Sequence, residues 1–307
     1  MTHKLRIAVL AGGPSAEHEV SLNTGEMIFQ GLDKNKYEAR KIIISKNGRW
    51  PISLIELKNN YDLVFNAMHG EYGEDGVIQK ILEKNKIPYT GSNSRASKLG
   101  MDKATSYKKF QKTKLLIPKF TTKNNLIAIK KLGLPLVIKP NDRGSSVGVK
   151  IIKNWDEFNN AVNEVKKYSS SIMFQEFING RELTCGIIEY KKKLKALLPT
   201  EIIPPSNSFF NYEAKYVAGA SQEITPPNLS KKIIKQIQEV ALKAHRAIGC
   251  RGYSRTDMIL SPDKKIYVLE INTLPGMTAN SLLPQGAKAM GITFSQLLDI
   301  IIESAVK

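Results

Sequence analysis

Short apolar runs alternate with a helix-length segment through the first hundred residues, and this alternation constrains the fold more than any other feature. Residues 5–11 (LRIAVLA) run into Gly12-Gly13-Pro14-Ser15, and apolar spacing predicts a helix over 16–32. Residues 37–45 read as the next strand, with Asn47-Gly48 behind them as a hairpin turn. Residues 61–67 (YDLVFNA) read as another buried strand, ending at Met68-His69-Gly70. Strands alternating with helices imply a parallel sheet covered on both faces.

A second region begins near Met101-Asp102-Lys103, with helices expected at 102–113 and 124–132, strands at 134–139 and 172–178, and a glycine-rich stretch at 141–148 between them. In the last region, 183–189 and 194–200 read as a hairpin around Lys191-Lys192-Lys193, and 258–260 with 266–271 as a second one. Ser230 caps a helix predicted to end at Ile248, with Gly249 as its stop. No proline- or serine-rich linker, internal repeat or low-complexity tract interrupts the chain.

At 307 residues the chain has room for two or three domains with cores of their own. Two cysteines, Cys185 and Cys250, are too few for a disulfide scaffold or a cysteine-built metal site. No apolar run approaches a membrane span, and the first residues carry no signal-peptide pattern, so a cytoplasmic protein is expected. The net charge of +18 comes from 37 Lys against 9 Arg, dispersed along the chain. Nucleic-acid recognition leans on arginine forks, so the excess reads as solvation, with a share drawing anionic substrates to a cleft.

Two clusters carry candidate chemistry. In Lys139-Pro140-Asn141-Asp142-Arg143-Gly144-Ser145-Ser146-Val147-Gly148, a strand delivers a lysine to a loop whose glycines and serines can offer N–H and O–H donors to phosphate; a plain surface loop would look much the same. Neither a P-loop nor a GxGxxG fingerprint is present. In the second cluster, Glu270 and Asn272 stand two apart on one strand of a predicted hairpin and Asp257 on its partner. Three hard oxygen donors on one face suit Mg²⁺; the alternative is a solvated face with cross-strand ion pairs. Pro275-Gly276 follows, a turn able to aim N–H groups at an oxyanion, and Arg255 adds positive charge. Glu17 stands at a helix start, where it could simply complement the helix dipole, and His69 opens a polar glycine-rich loop after a strand.

Together these segments resemble the D-alanine–D-alanine ligases of the ATP-grasp superfamily. The resemblance spans the whole chain and rests on GGPSAEHEVSL (12–22), HGEYGEDG (69–76), MDK (101–103), KPNDRGSSVG (139–148), QEFINGRELT (175–184), FFNYEAKY (209–216), GYSRTD (252–257) and LEINTLPGMTANSLLP (269–284), in family order. It departs at Asn211, where the family often has Asp, and in the variable stretch 141–143.

The resemblance implies an α/β fold, α+β in its ATP-binding part: a three-domain ATP-grasp architecture with ATP between two antiparallel sheets. The implied boundaries are 1–96 for an N-terminal domain binding the first D-alanine, 97–180 for the central subdomain, and 181–307 for the C-terminal one with the metal and second-substrate sites. By resemblance, Lys103, Lys139, Lys215 and Ser146 contact the ATP phosphates, Glu176 and Phe177 line the adenine pocket, and Glu182 holds the ribose. Asp257, Glu270 and Asn272 hold two Mg²⁺ or Mn²⁺ ions. Glu17 anchors the ammonium of the first D-alanine with His69 nearby. Arg255 and the Gly276 backbone form the oxyanion site, and Ser281 and Leu282 bind the second substrate's carboxylate. Glu17, Ser145 and Tyr216 form a hydrogen-bonded set. The implied activity is ATP-dependent synthesis of D-alanyl-D-alanine for peptidoglycan by a homodimer, with small-molecule partners and neither nucleic acid nor membrane. D-lactate or D-serine as second substrate is the alternative; Tyr216 favours the dipeptide.

Overall fold

The computed structural model describes residues 4–144, 148–204, 222–278 and 281–306. The first apolar runs become β1 (Leu5–Gly12), β2 (Tyr37–Ile44) and β3 (Leu63–Asn66), a parallel sheet in the order β2–β1–β3. Parallel neighbours need crossovers, and α1 (His18–Gly31) and α2 (Leu54–Asn60) supply them. Alternation along β1 builds two cores: Ile7 and Val9 pack with Ile28 of α1, while Ala8 and Leu10 pack with Leu57 of α2 and with Ile78 and Leu82 of α3 (Val77–Lys84). The expected turn at Asn47-Gly48 forms, Gly48 N–H donating to Ser45 O at 2.9 Å, but no strand returns from it. Trp50, Ile52 and Leu54 pack instead onto the α2–α3 core, and burying them there outweighs pairing along the exposed edge of β2.

α4 (Ser94–Met101) and α5 (Lys103–Lys112) follow, capped by Asn93 and Asp102, whose side chains accept from the N–H groups of Ala96 and Thr105. Beyond them β4 (Phe120–Thr121), β5 (Leu136–Pro140), β6 (Lys150–Ile152) and β7 (Ile172–Glu176) form an antiparallel sheet in the order β4–β7–β5–β6. Helices α6 (Leu126–Lys130) and α7 (Phe158–Lys166) bury Ile129, Ala161, Val162 and Val165 against it. The helix expected over 124–132 is thus shorter: Asn125 caps it, and Gly133, at φ 79°, follows its end.

A larger antiparallel sheet comprises β8 (Arg181–Tyr190), β9 (Lys193–Ala196), β10 (Thr200–Ile203), β11 (Gln222–Ile224), β12 (Tyr253–Leu260) and β13 (Ile266–Asn272), in the order β11–β10–β8–β12–β13 with β9 also on β8. The hairpin at Lys191-Lys192 forms, both residues at positive φ as a two-residue turn requires. Its return strand, expected over 194–200, is split into β9 and β10. Leu197 and Leu283 pack over Gly186 at the break, where a Cβ would collide with Leu283. α8 (Lys231–Ile248) covers one face of this sheet, capped by Ser230 and ended by Gly249 in the left-handed region, as expected.

The other face is divided. At one end Ile188 and Tyr253 join a core with α1, β1, α9 (Leu282–Lys288) and α10 (Phe294–Ala305), so the parallel sheet and the large antiparallel sheet share apolar packing. The opposite end of that face carries charged and polar residues. No helix among the described residues is long and apolar enough to cross a membrane.

Candidate active site

The polar end of the large sheet is set by strand register. Asp257 on β12 stands opposite Thr184 on β8 and opposite Glu270 on β13, while Arg255 stands opposite Asn272. A bulge between Asp257 and Met258 places Leu269 and Glu270 together against one residue of β12. It decides which way the carboxylate points. Ile266 and Val268 face the α8 core, and unbroken alternation would send Glu270 and Asn272 there too; with the extra residue, Ile271 takes the core and both polar side chains face the site.

Cations meet both carboxylates. Arg255 donates to Asp257 through Nε and Nη2, each at 2.9 Å, and Lys103 Nζ lies 3.3 Å from Glu270 Oε2. Thr184 Oγ1 donates to Asp257 Oδ1 at 2.6 Å. Asn272 Oδ1 accepts from Leu274 N–H at 2.8 Å, which fixes the start of the Pro275-Gly276 segment.

The lysines rise from buried stems. Lys103 is the first residue of α5, and its N–H and that of Ala104 donate to the Asn141 carbonyl and amide oxygens (3.0 and 2.8 Å). Its ammonium also donates to Arg143 O at 2.5 Å. Lys139, on β5, places Nζ 5.9 Å from the centre of the Tyr107 ring. The Tyr107 hydroxyl stands 2.9 Å from Gln175 Oε1 and 2.8 Å from Leu269 O, with one proton between the two acceptors, and burial, with the charge of Glu270, raises its phenol well above the usual tyrosine range. One buried tyrosine thereby ties α5, the four-stranded sheet and the bulge together.

A third group of residues comes from loops at the C-terminal ends of β1 and β3. Glu17 is buried, and its side chain makes no capping hydrogen bond to α1, so helix capping does not account for it. Its carboxylate lies against Gly70, where a Cβ would stand 2.8 Å from Oε2; at φ 71° glycine also satisfies the backbone there. His69 Nδ1 is 3.1 Å from Glu74 Oε1 and Nε2 is 2.8 Å from Thr24 Oγ1. Burial raises the Glu74 carboxyl above the usual range, the charge of Glu17 adds to this, and the His69 hydrogen bond opposes it. A Cβ on Gly276 would stand 2.9 Å from Ser281 Oγ and 3.8 Å from His69 Cε1, which brings segments more than 200 residues apart into one cleft. Ser281 Oγ accepts from Thr278 N–H at 2.9 Å, and Leu282 begins α9 beside it.

Of the remaining expected residues, Glu176 ends β7, and its carboxylate accepts from Lys119 N–H at 2.7 Å. Phe177 N–H donates to Pro135 O at 3.3 Å, and Glu182 lies on β8 two residues before Thr184, on the face of Asp257. Ser145, Ser146, Lys215 and Tyr216 lie outside the described residues. Residues without an expected role also shape the site: Thr184, Glu74, Asn141, Tyr107 and Gln175. Thr184 was traceable from its i, i+2 relation to Glu182, but Tyr107 and Gln175 meet only through tertiary contact.

The donor set suits a hard divalent cation. Among the described residues no three His, Cys, Asp or Glu side chains are grouped to hold a metal by themselves. Two carboxylates opposed in register with an amide oxygen beside them match an ion that completes its shell with water and phosphate oxygens, and the pairing of both carboxylates with cations shows that this face attracts positive charge.

Family profiles described as D-ala D-ala ligase N-terminus and C-terminus match residues 6–58 with 52–92, and 96–303. The chain is 40% identical to a D-alanine–D-alanine ligase of Syntrophobacter fumaroxidans, over all of this chain and 99% of that one. Among solved structures it is similar to the ATP complex of the Bacillus anthracis D-alanine–D-alanine ligase (TM-score 0.83, 36% identity, 98% of this chain and 97% of that one). It is also similar to the VanG D-Ala:D-Ser ligase of Enterococcus faecalis (TM-score 0.86, 31% identity, 99% of this chain and 100% of that one).

Proposed function

The chain belongs to the D-alanine–D-alanine ligase family, and on that premise we propose that it joins two D-alanine molecules into D-alanyl-D-alanine, a peptidoglycan precursor, with cleavage of ATP to ADP and phosphate. The observation that carries this reading is the convergence of His69, Gly276 and Ser281 beside the acidic strand face, which gives one cleft an amino-acid end and a phosphate end.

In the first step the carboxylate of the first D-alanine attacks the γ-phosphorus of ATP, and ADP leaves. Glu17 pairs with that substrate's ammonium, and His69, held by Glu74 and Thr24, borders it. Lys103 and Lys139 oppose the phosphate charge from buried stems, with Lys215 and Ser146 in the same role. Glu176 and Phe177 border the adenine, and Glu182 holds the ribose. Asp257, Glu270 and Asn272 would hold two Mg²⁺ or Mn²⁺ ions, which supply charge neutralisation at the phosphates.

In the second step the amine of the second D-alanine attacks the acyl carbonyl, loses a proton, and phosphate departs. Ser281 and Leu282 receive that substrate's carboxylate. Arg255 and the N–H of Gly276 oppose the developing oxyanion. Glu17, Ser145 and Tyr216 form the set that links loop and substrate. Residues 1–96, 97–180 and 181–307 act as the three domains of a cytoplasmic homodimer that engages neither nucleic acid nor membrane.

The similarity to a D-Ala:D-Ser ligase supports a second reading in which D-serine takes the second site; D-lactate at that site is the other alternative within the family. ATP-dependent phosphate release over D-alanine, D-serine and D-lactate, with products identified by mass, tests both. D-alanyl-D-alanine is expected as the dominant product; a mixed product with D-alanine at limiting supply would move the assignment to the second reading, and no phosphate release with any of them would remove both.

A further inference from the structure

We propose that Thr184 is a positioning residue that sets the Asp257 carboxylate for divalent-cation binding. The inference rests on the reading of Asp257 as a metal ligand and names what aims it.

Thr184 is 2% exposed and stands directly opposite Asp257 in the β8–β12 ladder, so its side chain enters the site face at a distance fixed by backbone pairing. Its hydroxyl has a single proton and two acceptors within reach: Asp257 Oδ1 at 2.6 Å and Thr256 O at 3.3 Å. The shorter, charged acceptor takes it. Oδ1 also accepts from Arg255 Nε, but the two donors differ in what they can do. Arg255 reaches Asp257 on a long side chain with many rotamers, and the second step proposed above gives its guanidinium a task at the oxyanion. Thr184 has one side-chain torsion, β-branched and buried, and no other task. It can therefore hold Oδ1 through both steps and keep the plane of the carboxylate aimed at the cleft. Hydrogen-bonded partners of this kind orient metal ligands, and their loss typically lowers metal affinity about 10- to 100-fold.

The test is Mn²⁺ binding, read from the electron-paramagnetic signal of unbound Mn²⁺, to the full-length protein alone and again with ADP. The variants are Thr184→Val, Thr184→Ala, Thr184→Ser and Asp257→Asn, each with a thermal melt. Thr184→Val keeps the shape without the donor and is expected to weaken Mn²⁺ about 10-fold or more. Thr184→Ser keeps the donor and is expected to stay within about threefold of the parent, and Thr184→Ala reports on the donor if the valine fails to fold. Parent-like affinity in Thr184→Val or Thr184→Ala, with affinity lost in Asp257→Asn, overturns the role of Thr184 alone. Equal losses in the serine and valine variants that follow their melting temperatures overturn it as well, in favour of packing. Parent-like affinity in Asp257→Asn overturns the metal reading itself.

Discussion

At the C-terminal end of the parallel sheet, Glu17, His69 and Glu74 stand on loops, none more than 9% exposed, and His69 and Glu74 hydrogen-bond each other; on the large antiparallel sheet, Asp257, Glu270 and Asn272 stand on strands, and the two carboxylates meet cations, Arg255 on the strand of Asp257 and Lys103 from α5. In the first region local hydrogen bonds over-determine each group. Ser15 Oγ accepts from Glu17 N–H, Glu74 N–H donates to Gly70 O, and Gly70 leaves room for the Glu17 carboxylate. In the second, register alone decides which side chains face the cleft, and one bulge sets the register. A loop-built subsite should therefore fail one residue at a time, whereas a strand-built one should fail as a whole when its ladder shifts.

Removing Leu269 is the most direct way to break that contrast. The deletion restores unbroken alternation and turns either Glu270 and Asn272 into the α8 core or Ile266 and Val268 out of it. An unpaired buried carboxylate costs about 3–5 kcal/mol, a large part of the stability of an ordinary domain. Loss of the cooperative melt, or a fall in Tm of ten degrees or more, is expected by circular dichroism. A parent-like melt with retained activity would show that the bulge does not set the two faces.

Glu270→Gln sharpens the same side of the comparison without moving the ladder. It removes one charge from the donor set, and kcat is expected to fall about 10²- to 10³-fold at ordinary Mg²⁺, with Tm within a few degrees. Near-parent turnover would remove Glu270 from the set.

Glu17→Gln probes the loop-built side. Because the carboxylate makes no capping bond, the loss should fall on substrate and spare the helix. The Michaelis constant for the first D-alanine is expected to rise about a hundredfold while that for ATP barely moves. A lowered Tm with unchanged D-alanine dependence would return Glu17 to a structural role.

Two of the buried histidines, His69 and His245, give the smallest effect and the cleanest control. His69 has a partner at each ring nitrogen, whereas His245 of α8 contacts Ser254 Oγ through Nδ1 at 2.7 Å and its Nε2 has no hydrogen-bond partner among the described residues. Burial first, and Arg246 second, lower His245 from 6.5 to about 4. The unfolded chain then takes up the proton first, so the contribution of neutral His245 is complete above about pH 6.5 and is lost as the pH falls toward 4. By pH 5 this amounts to about 2 kcal/mol. Urea melts at pH 7.5 and pH 5 should show the loss in the parent and a smaller one in His245→Leu; equal losses in both would place the acid sensitivity elsewhere.

The strand-and-helix alternation, the caps at Ser230 and Gly249, and the placing of Glu270 and Asn272 on one strand face beside the strand of Asp257 were legible in the sequence because each depends on residues close together or on a period of two. Membership of the family was legible too, from eight short segments in order. The fate of the Asn47-Gly48 turn was not: turn chemistry fixes the reversal, but packing of Trp50 and Ile52 decides whether a strand follows. The break between β9 and β10 was hidden as well, since it exists because Leu283, a hundred residues away, fills the space over Gly186. The burial of Glu17, the Thr24 partner of His69, the Tyr107 bridge and the donor from Thr184 to Asp257 likewise depend on long-range contacts. Local propensity and periodicity set what each segment becomes; which buried polar group meets which partner is decided only once the sheets pack, because a hydrogen bond acts over about 3 Å and the chain alone does not specify distances between remote residues at that scale.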